Sequence, residues 1–284
     1  MATLPEHRSE SAFEDYKPEL GADAALVEAS RCLYCHDAPC VTACPTGIDI
    51  PQFIRKIATG NVRGSARTIF SSNILGMSCA RVCPVEVLCV GSCVYNDKGE
   101  PPIAIGQLQR YATDRAFEAG WSFFQAGADT GKRVALVGGG PASLACAHEL
   151  RRQGHAVTIF EKRDVLGGLN VTGVAPYKMR AEDAVAEVAW VLSIGGVDVQ
   201  TGVEVDSGGL AAMLQGYDAV FLGMGLGPDS ALSVPGADLP GVVGAVEFID
   251  RMKTGTVDLG GVRSALVVGG GNTAIDAVRE LRGL

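Results

Sequence analysis

Residues 32–45 read CLYCHDAPCVTACP and residues 79–93 read CARVCPVEVLCVGSC. These two runs hold eight of the chain's nine cysteines, as Cys32-x2-Cys35-x4-Cys40-x3-Cys44-Pro45 and Cys79-x3-Cys83-Pro84-x4-Cys89-x3-Cys93. A cubane iron–sulfur cluster takes about four soft ligands, so two such runs, separated by a helical hairpin, supply thiolates for two clusters. In runs of this kind the cysteine before proline ligates the other cluster, because the proline turns the chain away. Cys44 is therefore expected to leave the centre shared by Cys32, Cys35 and Cys40.

Structural zinc and disulfides are the competing readings. Zinc sites usually pair CxxC units or mix Cys with His, and this region has one CxxC and one histidine, His36. Disulfides suit small secreted domains, whereas the N-terminal MATLPEHRSE lacks an apolar signal core. A reducing cytoplasm is the expected location.

The 284 residues suit about two domains, and a 47% hydrophobic content is ample for packed cores. A formal charge of -8 argues against general affinity for nucleic acid or an anionic membrane. Gly, Pro or charge interrupts every apolar run before the ~20 residues of a membrane span. Proteins and nucleotides are the expected partners.

Working outward from the cysteines, Ala24, Leu26, Val27 and Ala29 lead into the first run as a helix. Pro51 suits a first helical turn, with Phe53, Ile54 and Ile57 as its apolar stripe. Further helices are expected over 65–72 and 105–119. Residues 1–125 thus read as an α-helical iron–sulfur domain whose small core draws folding energy from metal ligation.

At Lys132 the pattern becomes α/β. Val134–Val137 reads as a strand, Ala156–Phe160 as a second, Asp218–Leu222 as a third, and Ala265–Val268 restarts the pattern. Between the first strand and its helix lies Gly138-Gly139-Gly140-Pro141-Ala142-Ser143, a G-x-G-x-x-small pattern. The first glycine permits the turn, the second lets backbone approach a pyrophosphate on the helix N-terminus, and Ser143 is small where helix packs on strand. Glu161, 23 residues after Gly138, stands where a carboxylate can bind a ribose diol. Gly167-Gly168-Leu169 would let a loop pass the nucleotide. Gly269-Gly270-Gly271-Asn272-Thr273-Ala274 repeats the arrangement, giving a second dinucleotide site.

Two such folds in one chain are commonly a flavin and a nicotinamide domain, because hydride transfer holds both rings together. The reading is a dinucleotide-binding α/β domain (first part) over 126–235 and the start of a second over 236–284. The chain stops at Leu284 before that domain's further strands, so truncation is expected. Cys146 reads as a small core residue, His148 and His155 as helix-surface and turn residues, and the Arg151-Arg152 pair as a solvated face. No nucleophile–base pair stands out.

The cysteine strings, with Leu75-Gly-Met-Ser-Cys79 and Phe221-Leu-Gly-Met-Gly-Leu-Gly, resemble the N-terminal half of the dihydropyrimidine dehydrogenases, in particular the FAD- and cluster-bearing subunit of the bacterial NAD-dependent enzymes. The small (beta) subunit of glutamate synthase is the related alternative, and a non-catalytic metal-stabilised binding module is the alternative of another class. The resemblance implies one 4Fe-4S cluster on Cys32, Cys35, Cys40 and Cys93. It implies a second on Cys44, Cys83, Cys89 and the amide oxygen of Gln109, with Cys79 a bystander, although eight cysteines already suffice for two cubanes.

The resemblance also implies that 126–235 is the FAD-binding domain and 236–284 the NAD(P) domain. FAD would lie at Gly138, Gly140, Pro141, Ala142, Ser143, Glu161, Lys162, Gly168 and Leu169, with Lys178 a basic residue near the flavin. NAD(P)H would take Gly269, Gly271, Asn272 and Thr273. The implied function is entry of electrons from NAD(P)H through FAD and two clusters to an FMN-bearing subunit that reduces uracil and thymine.

Overall fold

The computed structural model describes residue 4 and residues 8–284. The chain divides into two compact units, Lys17–Gln125 and a second formed by Ala126–Leu284 with the described residues up to Tyr16.

The first unit is helical: α1 Ala22–Ser30, α2 Pro39–Thr42, α3 Ile50–Ala58, α4 Val62–Ser72, α5 Gly76–Val82 and α6 Ile105–Glu118. Local chemistry sets the starts. The Asp49 side chain accepts the Gln52 N–H at 3.1 Å to cap α3, and Pro51 has no N–H to leave unsatisfied there. Asn61 caps α4 through the Gly64 N–H at 2.9 Å.

The expected stripe of α3, Phe53, Ile54 and Ile57, packs with Ala25 and Ala29 of α1, Ile69 of α4 and Leu108 of α6. Ile54 is fully buried, so cutting it to alanine would cost about 2–5 kcal/mol. Buried Cys89 belongs to this core, and half-buried Cys32, Cys40, Cys44, Cys83 and Cys93 pack against it. The thiols therefore form part of the wall that holds the helices together.

The second unit carries a four-stranded parallel sheet in the order β3-β2-β1-β4, with β1 Arg133–Val137, β2 Ala156–Glu161, β3 Val197–Thr201 and β4 Ala219–Leu222. Parallel neighbours need crossovers, and α7 Pro141–Arg152, α9 Ala181–Leu192 and α10 Ser207–Gly216 supply them. A short α8 spans Leu169–Thr172, and α11 Ala245–Lys253 and α12 Asn272–Gly283 follow the sheet. The chain runs β1-β2-β3 in one direction and then returns to place β4 on the other side of β1. That reversal is the position where open parallel sheets bind ligands, at the carboxyl ends of the strands.

The structure corrects two expectations and holds one strand that was not expected. Ala265–Val268 is not a strand: no ladder partner exists among the described residues, and Leu266 and Val268 are exposed. An apolar run becomes a strand only where a neighbour satisfies its N–H and C=O groups. His148 is not on the helix surface but buried on the inner face of α7, and burial, with Arg152 next, lowers its pKa to about 4. Finally, β3 carries Asp198 and Gln200, a polar edge strand without an apolar run to announce it.

Candidate functional site: two thiol groups and a glycine cradle

Cys32, Cys35, Cys40 and Cys93 line one cavity, together with Leu33, Pro39, Ile54 and Tyr95. Tyr34 adopts a left-handed conformation at φ 50°, uncommon for a non-glycine residue, inside the Cys32–Cys35 loop. Its hydroxyl donates to the Ala29 oxygen at 3.2 Å, anchoring the turn to the end of α1. Burial raises the Cys32 thiol, and Cys35 and Cys93 raise it further. Burial likewise takes Cys40 up to about 11, with Cys32 and Cys93 adding to it. Cys32 and Cys40, raised in this way, are poor free thiolates, and a cationic metal core inverts that balance. The donor set fits a cubane. Among the described residues no three His, Cys, Asp or Glu side chains are grouped to hold one metal ion. A cubane requires no such convergence, since each thiolate takes a different iron.

A second group comprises Cys44, Cys79, Cys83 and Cys89. A hydrogen bond from Cys79 pulls the Cys83 thiol down against burial and the opposing effects of Cys89 and Cys44. Burial pushes Cys89 up to about 12, with Cys44, Cys79 and Cys40 contributing. Gln109, buried on α6, donates its Nε2 to the Gly76 oxygen at 2.8 Å. A carbonyl can only accept, so this bond fixes which way the amide oxygen faces.

In the α/β unit, Gly138 turns the chain out of β1 with φ 93°. A Cβ there would lie 2.6 Å from the Gly223 oxygen, just beyond β4, so only glycine fits. At Gly139 a Cβ would fall 2.2 Å from Leu166, and the Gly139 N–H donates to Glu161 Oε2 at 2.6 Å. The Glu161 carboxylate is buried and also accepts the Arg163 N–H at 2.8 Å. Gly167 N–H donates to the Gly139 oxygen at 2.8 Å, and Gly168, at φ 51°, would clash with Gly140 if it carried a Cβ. Gly140 is the N-cap of α7, with Pro141 in its first turn.

Gly138, Gly140, Pro141, Ser143, Glu161 and Gly168 are thus brought together around one helix N-terminus. Ser143 is fully buried, and its Oγ has no hydrogen-bond partner. Ala142, Lys162 and Leu169 lie on exposed positions flanking this cradle. A loop of bare backbone on a helix N-terminus, beside a buried carboxylate, fits a dinucleotide pyrophosphate and ribose. Gly139, quoted in the glycine run but not expected as a contact, and Gly223 also belong to the cradle. The position of Gly223 immediately after an apolar strand was the available signal.

The second glycine run also ends on a helix: Gly271 is the N-cap of α12, with Asn272 and Thr273 in its exposed first turn. Gly269 turns there with φ 129°. Lys178, expected near the flavin, pairs with Asp276 of α12. Cys146 is half-buried, and Arg151 is less solvated than expected, donating to the Gly195 and His155 oxygens at 2.8 and 2.6 Å.

No described helix is long and apolar enough to cross a membrane. Residues 8–121 match a family model described as dihydropyrimidine dehydrogenase domain II, 4Fe-4S cluster. Residues 132–284 match the pyridine nucleotide-disulphide oxidoreductase model. The chain is 37% identical over 271 residues to the NAD-dependent dihydropyrimidine dehydrogenase subunit PreT of Escherichia coli K12, covering 95% of this chain and 65% of that protein. It is 36% identical to the NADPH glutamate synthase small chain of Halomonas elongata, covering 94% of this chain and 58% of that one. Among solved structures, Mycobacterium tuberculosis FprA in complex with NADPH aligns at 30% identity and TM-score 0.45 over 53% of this chain and 36% of that chain.

Proposed function

This chain belongs to the pyridine nucleotide-disulphide oxidoreductase family, and from that membership we propose that it is the electron-entry part of an NAD(P)H-dependent iron–sulfur flavoprotein. The observation that carries the reading is the coexistence of two separate thiol groups in one unit with a glycine cradle in the other.

In this reading Cys32, Cys35, Cys40 and Cys93 hold one 4Fe-4S cluster. Cys44, Cys83, Cys89 and the Gln109 amide oxygen hold the other, and Cys79 supports Cys83 by hydrogen bonding. The anchoring of Gln109 Nε2 on Gly76 supports its oxygen as a ligand. A neutral amide in place of a thiolate leaves that cluster less negative. The Gly138–Ser143 loop and Gly168 cradle FAD, Glu161 faces its ribose, and Lys162 and Leu169 flank it. Gly269, Gly271, Asn272 and Thr273 receive the pyrophosphate of NAD(P)H. When bound, the flavin exchanges hydride with the nicotinamide and single electrons with the clusters. The protein's own part is to set positions and local charge.

The acceptor in this reading is an FMN-bearing partner subunit in the cytoplasm that reduces uracil or thymine. The resemblance of the cysteine strings and the PreT match support it. The test is to assay anaerobically purified full-length protein with NADH. Artificial acceptors are reduced by the subunit alone and uracil only when the partner is added; uracil turnover by the isolated subunit contradicts the proposal. The comparable identity to a glutamate synthase small chain favours a second reading, decided by which large subunit co-purifies, a pyrimidine-reducing or a glutamine-hydrolysing one.

A further inference from the structure

Lys17 opens the helical unit with a side chain only 13% exposed. Its ammonium lies 3.4 Å from the backbone oxygen of Cys83 and 3.5 Å from the carboxylate of Glu86, both within the second cysteine run. Glu86 is 62% exposed, so water screens its charge far more than that of the lysine. The backbone oxygen of Lys17 accepts from Arg110, which holds the residue in place from α6.

The other cations of the region are differently engaged. Arg81 is bidentate on Asp114 at 2.8 and 3.0 Å, and Arg110 Nε shares the same carboxylate at 3.1 Å. Beside the first thiol group, Arg31 is bidentate on Glu28 at 2.9 and 2.8 Å. Cys83 itself caps the C-terminus of α5, where helix carbonyls leave partial negative charge. A positive field at Cys83 must therefore come from a side chain, and the Lys17 ammonium touches that residue.

Reduction adds one electron to a cluster whose thiolates and sulfides are already negative. A mostly buried ammonium at a ligand's backbone favours the more negative state, because local charge and hydrogen bonding set cluster potentials. We propose that Lys17 raises the reduction potential of the cluster held by Cys44, Cys83 and Cys89, and not that of the cluster held by Cys32, Cys35, Cys40 and Cys93. Lys17 is in this sense a positioning residue for electrons: it sets which cluster retains the electron. The proposal rests on the ligand assignment given above.

The test is a spectroscopically monitored redox titration of full-length holoprotein purified without oxygen, following the paramagnetic signal of each reduced cluster. Lys17→Met is expected to lower one midpoint by about 59 mV, the equivalent of a tenfold change for one electron, and leave the other in place. Lys17→Arg keeps the charge and holds that midpoint within threefold in equilibrium constant. Glu86→Gln releases the lysine from its counter-charge and moves the same midpoint upward.

With iron and sulfide content preserved, two unmoved midpoints in Lys17→Met overturn the proposal. So do equal shifts in the Met and Arg variants. If Lys17→Met loses its clusters, Lys17→Gln decides: a lowered midpoint of one signal supports the proposal and no shift overturns it. Unaltered protein without two cluster signals overturns the functional reading, and this proposal with it.

Discussion

The Nζ of Lys178 lies 2.8 Å from Oδ2 of Asp276, across 98 positions of sequence. Tyr177 donates its hydroxyl to the other oxygen of the same carboxylate, and the Arg279 guanidinium sits 4.0 Å from the centre of the Tyr177 ring. Asp276 thereby fastens the segment after the first glycine cradle to the helix after the second. The pair is mostly buried, so Asp276→Ala strands an ammonium and a phenol without their acceptor and should cost about 3 kcal/mol. Melting followed by circular dichroism should show a midpoint lower by about 6–12 °C, with a smaller loss in Asp276→Asn, which keeps an acceptor. An unchanged midpoint in the alanine variant would show that the pair does not hold α12.

One turn further along α12, Glu280 is fully buried, and neither carboxylate oxygen has a hydrogen-bond partner. Burial first, then the charge of Asp276, raises its pKa to about 8 against the opposing pull of Lys253 and Lys178. The folded form therefore keeps a proton that the unfolded chain releases at ordinary carboxylate pH. Stability from this group is fully present below about pH 4.5 and falls as pH rises towards about 8, above which both forms are ionised. A Glu280→Gln variant should flatten the melting profile across that window and melt several degrees above the parent at its alkaline end. Parallel profiles for the two proteins would contradict the assignment.

The legible parts of this chain were those whose chemistry is local. Cysteine spacing, the Asp49 and Pro51 start of α3, and the glycines between β1 and α7 each announce themselves within a few residues. The edge strand Val197–Thr201 did not, because its stability comes from pairing with β2 while its own side chains alternate without an apolar run. The stretch Ala265–Val268 had the apolar run and, among the described residues, no partner strand, which is the reverse failure. The Lys178–Asp276 joint and the place of Lys17 beside Cys83 arise from residues 98 and 66 positions apart, so neither spacing nor composition could show them.

The glycine cradle makes a stringent prediction at Gly138. An alanine Cβ would meet the backbone oxygen of Gly223 at 2.6 Å and the Met224 Cα at 2.9 Å, and backbone cannot swing aside as a side chain can. Gly138→Ala should therefore lose bound flavin by at least about tenfold, read as visible flavin absorbance per polypeptide. Glu161→Ala should also lose flavin, because the Gly139 N–H and Arg163 N–H lose the carboxylate that shapes the loop. Glu161→Gln keeps an acceptor for one of them and should retain more. Full flavin occupancy in Gly138→Ala would place the cofactor elsewhere.

The two thiol groups should separate cleanly by iron content. If each holds its own cubane, Cys40→Ser and Cys89→Ser should each leave about half the iron and sulfide of the parent, and the double variant almost none. Serine is a poor ligand for iron but close in size to cysteine, so the core around Ile54 and Leu108 should tolerate it once the remaining cluster is in place. The eighth ligand is decided by two further variants. Cys79 touches Cys83 through a hydrogen bond, so Cys79→Ser should retain all its iron and alter only the properties of one cluster. Gln109→Leu removes the amide oxygen and should lose the second cluster, or convert it to a three-iron form visible by electron paramagnetic resonance. The reverse pattern, with iron lost in Cys79→Ser and kept in Gln109→Leu, would make Cys79 the ligand and leave Gln109 as a brace for the Gly76 carbonyl. Zinc in place of iron in the parent protein would remove both clusters from the account and leave the cysteines as a scaffold.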